Sequence, residues 1–281
     1  MSQTLPESLH EFFHATDLTA MRQAALAAFA ELKRGLNDGS IRAAQPGPQG
    51  WTTQAWVKEG ILLGFRLGVL AAVGDVAPGA QPFFDKDTFP LRPLQLSDAV
   101  RVVPGGSSLR DGCFLAAGVI CMPPSYVNVG AYVDEGTLID SHVLVGSCAQ
   151  IGRRVHLSAG VQVGGVLEPV NAAPVIIEDD VLVGGNCGIY EGTRVGRGAV
   201  IAAGTVLTRG TPVYDLVHEI VHRASSETPL CIPPHAVVVP GARAVSRGRG
   251  PEWGLSLYTP VIVKYRDDKT ARSVELEDWL R

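Results

Sequence analysis

The sequence predicts a mainly β chain: a parallel β-helix of hexapeptide repeats, with a small N-terminal α-helical domain and a C-terminal extension. Three observations carry this. An aliphatic residue returns every sixth position through the middle of the chain. A small or β-branched residue follows each of these by four positions, save Val163 where the repeat is interrupted, and a stretch of strong helix formers precedes the whole repeat.

Residues 1–100 are read as the N-terminal domain. Within it, the stretch from about Ala15 to Leu36 brings apolar residues back three and four positions apart, which predicts an amphipathic helix. Residues 43–50 carry Pro and Gly punctuation and read as a loop. Thr52 then stands where it can cap a second helix running to about Leu67.

Residues 101–216 are read as the β-helix. The six-residue step starts at Leu109 and runs through Leu115, Cys121, Val127, Val133, Ile139, Val145, Ile151 and Leu157 to Val163. It resumes at Ile177 and passes through Val183, Ile189, Val195, Ile201 and Leu207 to Val213. Four positions after these stand Cys113, Val119, Thr137, Val155, Cys187, Thr205 and their equivalents. A period of six fits neither an α-helix nor a hairpin strand. It fits coils of three short strands and three turns, with the aliphatic side chain inside and the small one beside the corner. Gly, Asn and Asp suit corners where φ is positive. Residues 164–174 break the step by two positions and must leave the prism as an external loop.

Residues 217–281 are read as the C-terminal extension. It holds extended chain near Leu230–Gly241, a strand near Leu257–Tyr265, and a short closing helix at Val274–Arg281.

Composition narrows the function. With 24 Lys and Arg against 28 Asp and Glu, the net charge is −4, so no global positive field invites nucleic acid or an anionic membrane. The amino terminus lacks a secretory pattern, and no apolar run is long enough to span a bilayer. Five cysteines, Cys113, Cys121, Cys148, Cys187 and Cys231, are odd in number and lack C-x-x-C spacing. That argues against disulfides and zinc-binding pairs and points to a reducing cytoplasm. A small-molecule site is the expectation.

Hexapeptide β-helices host several chemistries, so the specific text has to decide. It is the run Asn128-Val-Gly-Ala-Tyr-Val-Asp-Glu-Gly-Thr-Leu-Ile-Asp140, followed by Val145-Gly-Ser-Cys-Ala-Gln-Ile-Gly152, Val155-His-Leu-Ser158 and Gly164-Gly-Val-Leu-Glu-Pro169. Together with Gly50-Trp-Thr-Thr-Gln-Ala-Trp56, Leu62-Leu-Gly-Phe-Arg66, Arg101-Val-Val-Pro104 and Ser256-Leu-Tyr-Thr-Pro-Val-Ile-Val-Lys264, it resembles the tetrahydrodipicolinate N-succinyltransferase family over most of the chain. The resemblance implies a left-handed parallel β-helix, a homotrimer with sites between prisms, and a place in diaminopimelate and lysine biosynthesis. It implies acyl transfer from coenzyme A to the amino nitrogen of an amino dicarboxylate, with succinyl-CoA or acetyl-CoA as co-substrate and no metal.

By the same resemblance the catalytic aspartate falls on Asp140 and the substrate-carboxylate arginine on Arg101. Glu168 and Glu191, nearby in sequence, are expected to supply a further carboxylate at the substrate. Gly185 and Ala203 are expected along the pantetheine arm, and Lys264 at a coenzyme phosphate. Each residue also has a plainer reading. Asp140 can serve a turn, and Arg101 can be a surface cation. His156 reads as hydrogen-bonded structure. Cys148 and Cys187 read as small buried residues, since an amine acceptor needs no acyl-enzyme.

The chain departs from the family at Gly185-Asn-Cys-Gly188, where the pattern has Ala-Arg-Ser-Glu. Losing one cation and one anion bears directly on the acyl donor. An N-acetyltransferase resembling that of tabtoxin biosynthesis is therefore the alternative. A non-catalytic or metal-dependent β-helix is the second alternative, disfavoured because only His142 and His156 lie in the regular coils.

Overall fold

A computed structural model describes residues 3–48, 50–74 and 82–266. The first element is a helix that the sequence analysis did not anticipate, α1 (Leu5–His14). Pro6 enters its first turn, and the Glu7 carboxylate reaches back to the Thr4 amide at 2.8 Å. The anticipated helices are α2 (Arg22–Asp38), closed by Gly39 at φ 77°, and α3 (Ala55–Leu67). Residues 43–50 are no simple loop. Ala44–Gly47 and Gly50–Thr53 pair as an antiparallel hairpin, so Thr52 lies in a strand and Gln54 precedes α3.

The repeat closes into a three-sided prism of two-residue parallel strands. One face begins at Arg101–Val102 and stacks Ile120–Cys121, Leu138–Ile139, His156–Leu157, Leu182–Val183, Val200–Ile201 and Val237–Val238. The second runs from Ser108–Leu109 to Val206–Leu207, and the third from Phe114–Leu115 to Cys231–Ile232. Seven strands on the first face, at about 4.8 Å apart, make a prism about 29 Å tall.

Both residues of the six-position pattern point inward. Ile139, Ile151, Leu157, Ile177 and Ile189 are fully buried, and so are Cys113, Val119, Thr137, Val155 and Thr205. Each large aliphatic contributes about 1.5–3 kcal/mol by leaving water. The small partner therefore fills the interior with it, a closer role than the corner packing expected. Corners recur every sixth residue in the left-handed region, held by Gly130, Gly136, Gly160 and Gly204, or by His142, Arg154 and Asn186.

Two excursions leave the prism, both between the second and third faces. The first is the expected one after Val163. The second follows Leu207, and it displaces the last expected step. Val213 is buried, but it belongs to a strand (Val213–Asp215) that pairs beyond the prism with Ile220–His222 and Ser256–Tyr265. The third face is completed instead by Cys231–Ile232, whose inward Ile232 stands 25 residues after Leu207. The long hairpin Ala236–Ala244 with Ser256–Tyr265 extends the first face and covers the prism end through Val238 and Ile262. The closing helix anticipated at 274–281 lies outside the described residues.

The N-terminal elements cover the third face. Arg42 lies over the Tyr132 ring at 3.6 Å and bonds Gln150 at 2.9 Å, while Trp51 donates to Glu178 at 3.1 Å. The helices share one core with Val129, Cys148 and the loop residue Leu167. Gly130 permits this approach, because a Cβ there would stand 2.8 Å from Ile61 Cδ1. No helix among the described residues is long and apolar enough to cross a membrane.

Candidate active site

Asp140 follows the inward Ile139 and opens the corner between the first and second faces. It is half-buried, and its Oδ1 accepts the Ser141 amide at 2.7 Å. On successive coils the same corner carries Ala159, Gly185 and Ala203, linked by Asn186 N–H to Ala159 O at 3.0 Å and Gly204 N–H to Gly185 O at 2.9 Å. The amides of Ala159, Gly185 and Ala203 meet no acceptor among the described residues. A ladder of amides without an acceptor in the chain, each on a Gly or Ala, therefore rises from Asp140. Three coil steps make it about 14 Å long.

Arg101 is exposed on the first strand of the face that ends at Asp140, two strands below Leu138. Lys264 is exposed and pairs with Val237 where that face is extended, so it lies beyond Ala203 in the same direction. Arg101, Asp140, Gly185, Ala203 and Lys264 thus fall in order along one side of the molecule.

Glu168 and Glu191 do not join them within one chain. Both lie at the corner between the second and third faces, lining a cavity of about 750 Å³ held between the two excursions. Its lining adds Tyr190, Arg209 and Glu227. Glu191 accepts the Arg209 amide at 2.9 Å, while the Arg209 guanidinium is held by the carbonyls of Ser225 and Ser226. Arg209 was not singled out in the sequence because, two places after the inward Leu207, it reads as an ordinary exposed corner residue of the repeat.

The departure at Gly188 is matched by its neighbour Tyr190. A Cβ at Gly188 would come within 2.4 Å of the Tyr190 ring, so the ring occupies the place of a longer side chain. His156 sits half-buried on the first face between Leu138 and Leu182. Burial pushes the Cys148 thiol up to about 12 and raises that of Cys187 as well, which disfavours a thiolate nucleophile at either position. Cys113 is likewise pushed up to about 12 by burial.

The hexapeptide prism is of the left-handed parallel β-helix class, and the relatives it matches make it an acyltransferase. Residues 174–209 match the family described as hexapeptide repeat of succinyl-transferase, and residues 4–67 match tetrahydrodipicolinate N-succinyltransferase N-terminal. A 2,3,4,5-tetrahydropyridine-2,6-dicarboxylate N-succinyltransferase of Afipia carboxidovorans is 38% identical, the alignment covering 99% of this chain and 98% of that one. One of Delftia acidovorans is 44% identical over 88% of this chain and 86% of its own, and one of Acinetobacter baylyi 41% over 89% and 88%. The chain belongs to the 2,3,4,5-tetrahydropyridine-2,6-dicarboxylate N-succinyltransferase family.

Proposed function

We propose that the protein transfers the succinyl group of succinyl-CoA to the amino nitrogen of L-2-amino-6-oxopimelate, the open form of tetrahydrodipicolinate, in the cytoplasm. The observation that carries this reading is the ladder of unengaged amides rising from Asp140. Pantetheine amides need backbone partners and room, and Gly185 and Ala203 offer both. Lys264, at the far end, is placed for a coenzyme phosphate, which leaves the thioester beside Asp140.

The acceptor arrives as an ammonium and cannot attack until it loses a proton. Asp140 orients the nitrogen and takes that proton, the amine adds to the thioester carbonyl, and the tetrahedral oxyanion collapses with loss of the coenzyme A thiolate. A corner amide is the natural oxyanion donor. Arg101 pairs with an acceptor carboxylate.

The separation of Asp140 from Glu168 and Glu191 supports a homotrimer. The third face is covered by the chain's own N-terminal elements, whereas Leu138, Leu182 and Val200 lie outward on the first face and are only partly buried. Packing that face against a second prism brings the carboxylate cavity of one subunit to the Asp140 corner of the next. Light scattering checks the assembly, and a monomer at working concentration would contradict it.

The departure at Asn186 and Gly188 makes the donor the point to test. With L-2-aminopimelate as acceptor, thiol release is expected to give a larger kcat/KM with succinyl-CoA than with acetyl-CoA. The reverse order would reassign the enzyme as an acetyltransferase.

A further inference from the structure

The helix α1 carries the run His10-Glu-Phe-Phe-His14, whose two histidines lie four residues apart and so on one helical face. That face meets α3, and Glu59 of α3 reaches both rings. Its Oε2 stands 2.9 Å from His10 Nδ1, and its Oε1 3.7 Å from His14 Nε2. The imidazole centroids are 4.4 Å apart, and one ligand atom from each of the three residues falls within 4.8 Å of the others.

Glu59 is the unusual member. Only 7% of it is exposed, in a helix interface otherwise built from Leu9, Phe12 and Ile61. Among the described residues the two imidazoles are its only side-chain partners. A buried carboxylate is tolerated when it is paired or holds a metal, and a neutral imidazole compensates its charge only weakly. Ligand atoms around a tetrahedral ion with bonds of about 2.0–2.1 Å stand roughly 3.4 Å apart, within the spread observed here.

We propose that His10, His14 and Glu59 bind a divalent transition-metal ion of the zinc type, which ties α1 to α3 at the molecular surface. Two imidazoles and one carboxylate favour such an ion over magnesium or calcium. The fourth position is left to water, because both histidines are more than half exposed. The run has the spacing of a metallopeptidase helix, yet a peptidase is not the reading. The Glu11 carboxylate is turned to Gln3 Nε2 at 2.8 Å, and His10 presents Nδ1 where His14 presents Nε2. None of the three residues lines the carboxylate cavity or belongs to the Asp140 corner, and the site takes no part in acyl transfer.

The test is a competition titration of the chelator-stripped full-length protein with Zn²⁺ against a chromophoric chelator, repeated with Co²⁺ for its absorption spectrum. One ion per chain is expected, with no competition from Mg²⁺. His10→Ala and His14→Ala, both at exposed side chains, should each weaken binding by roughly tenfold or more. Zn²⁺ should raise the melting temperature of the parent protein and not that of the His14→Ala variant. Failure to bind one equivalent would overturn the proposal. So would binding unchanged by both substitutions, or a cobalt–thiolate charge-transfer band, which would place the ion at the exposed Cys231. Circular dichroism of each variant separates loss of the site from loss of the helices.

Discussion

Lys58 of α3 donates from Nζ to the carbonyl oxygen of Ala172, 2.5 Å away in the external loop. The lysine is fully buried, and burial pulls its pKa below the usual range. A long cationic side chain is thus held inside the protein to tie the N-terminal helices to the loop that carries Glu168. Helices remote from the Asp140 corner thereby shape the carboxylate cavity.

Lys58→Met keeps most of the volume and removes the donor. The Ala172 carbonyl then lacks a partner, a cost of about 1–3 kcal/mol that removal of a buried cation partly offsets. Residues 164–174 should exchange their amide hydrogens faster, and KM for the amino acceptor should rise more than kcat falls. Hydrogen-exchange mass spectrometry with steady-state kinetics reads both effects. Unaltered exchange in the loop would mean that its own packing holds it.

Asp140→Asn preserves shape and the contact with the Ser141 amide but removes basicity. The expected result is a kcat lowered by roughly 10²-fold or more, with acyl-CoA affinity nearly unchanged. Near-normal turnover by an intact trimer would move the proton acceptor elsewhere, with Glu191 and Glu168 the next residues to replace.

Mixing two inactive variants tests the composite site. If Asp140 acts with Glu191 of a neighbouring subunit, Asp140→Asn and Glu191→Gln chains refolded together in equal amounts should regain activity. In a closed ring about a quarter of the interfaces then pair an intact Asp140 with an intact Glu191. No recovery from verified mixed trimers would place both groups in one subunit's site or remove Glu191 from it.

Asp215 predicts an acid limit. Burial alone would raise its pKa, but bonds from the Tyr265 hydroxyl at 2.7 Å, the His218 ring at 3.0 Å and the amides of His218 and Val217 outweigh this. Its carboxyl is held well below the usual range. The stabilisation is complete above the unfolded value near 3.9 and is lost as pH falls below it toward the folded value. Denaturant melts of the parent protein and Asp215→Asn should therefore differ at neutral pH and converge in strong acid. Burial, with Asp215 adding to it, pushes the Tyr265 phenol up to about 12, so the pair stays matched at neutral pH.

What the chain determined by itself was the periodic part. The six-residue pattern from Leu109 to Leu207 announced the prism, its interior residues and the place of the first excursion, because a repeating coil demands the same side chain at the same height every time. The motif ending in Asp140 identified the corner where chemistry was to be sought. The tertiary structure decided what local pattern does not encode. It took Val213 out of the third-face ladder, though not out of the core, and put Ile232 in that place, since the step back depends on which strand the returning chain can pair with. It separated Asp140 from Glu168 and Glu191, which the sequence had grouped, because residues near in sequence fall on different corners of a three-sided coil. And it brought His10 and His14 against Glu59, 49 and 45 positions further along, because two amphipathic helices buried their apolar faces on each other and left one carboxylate between the rings.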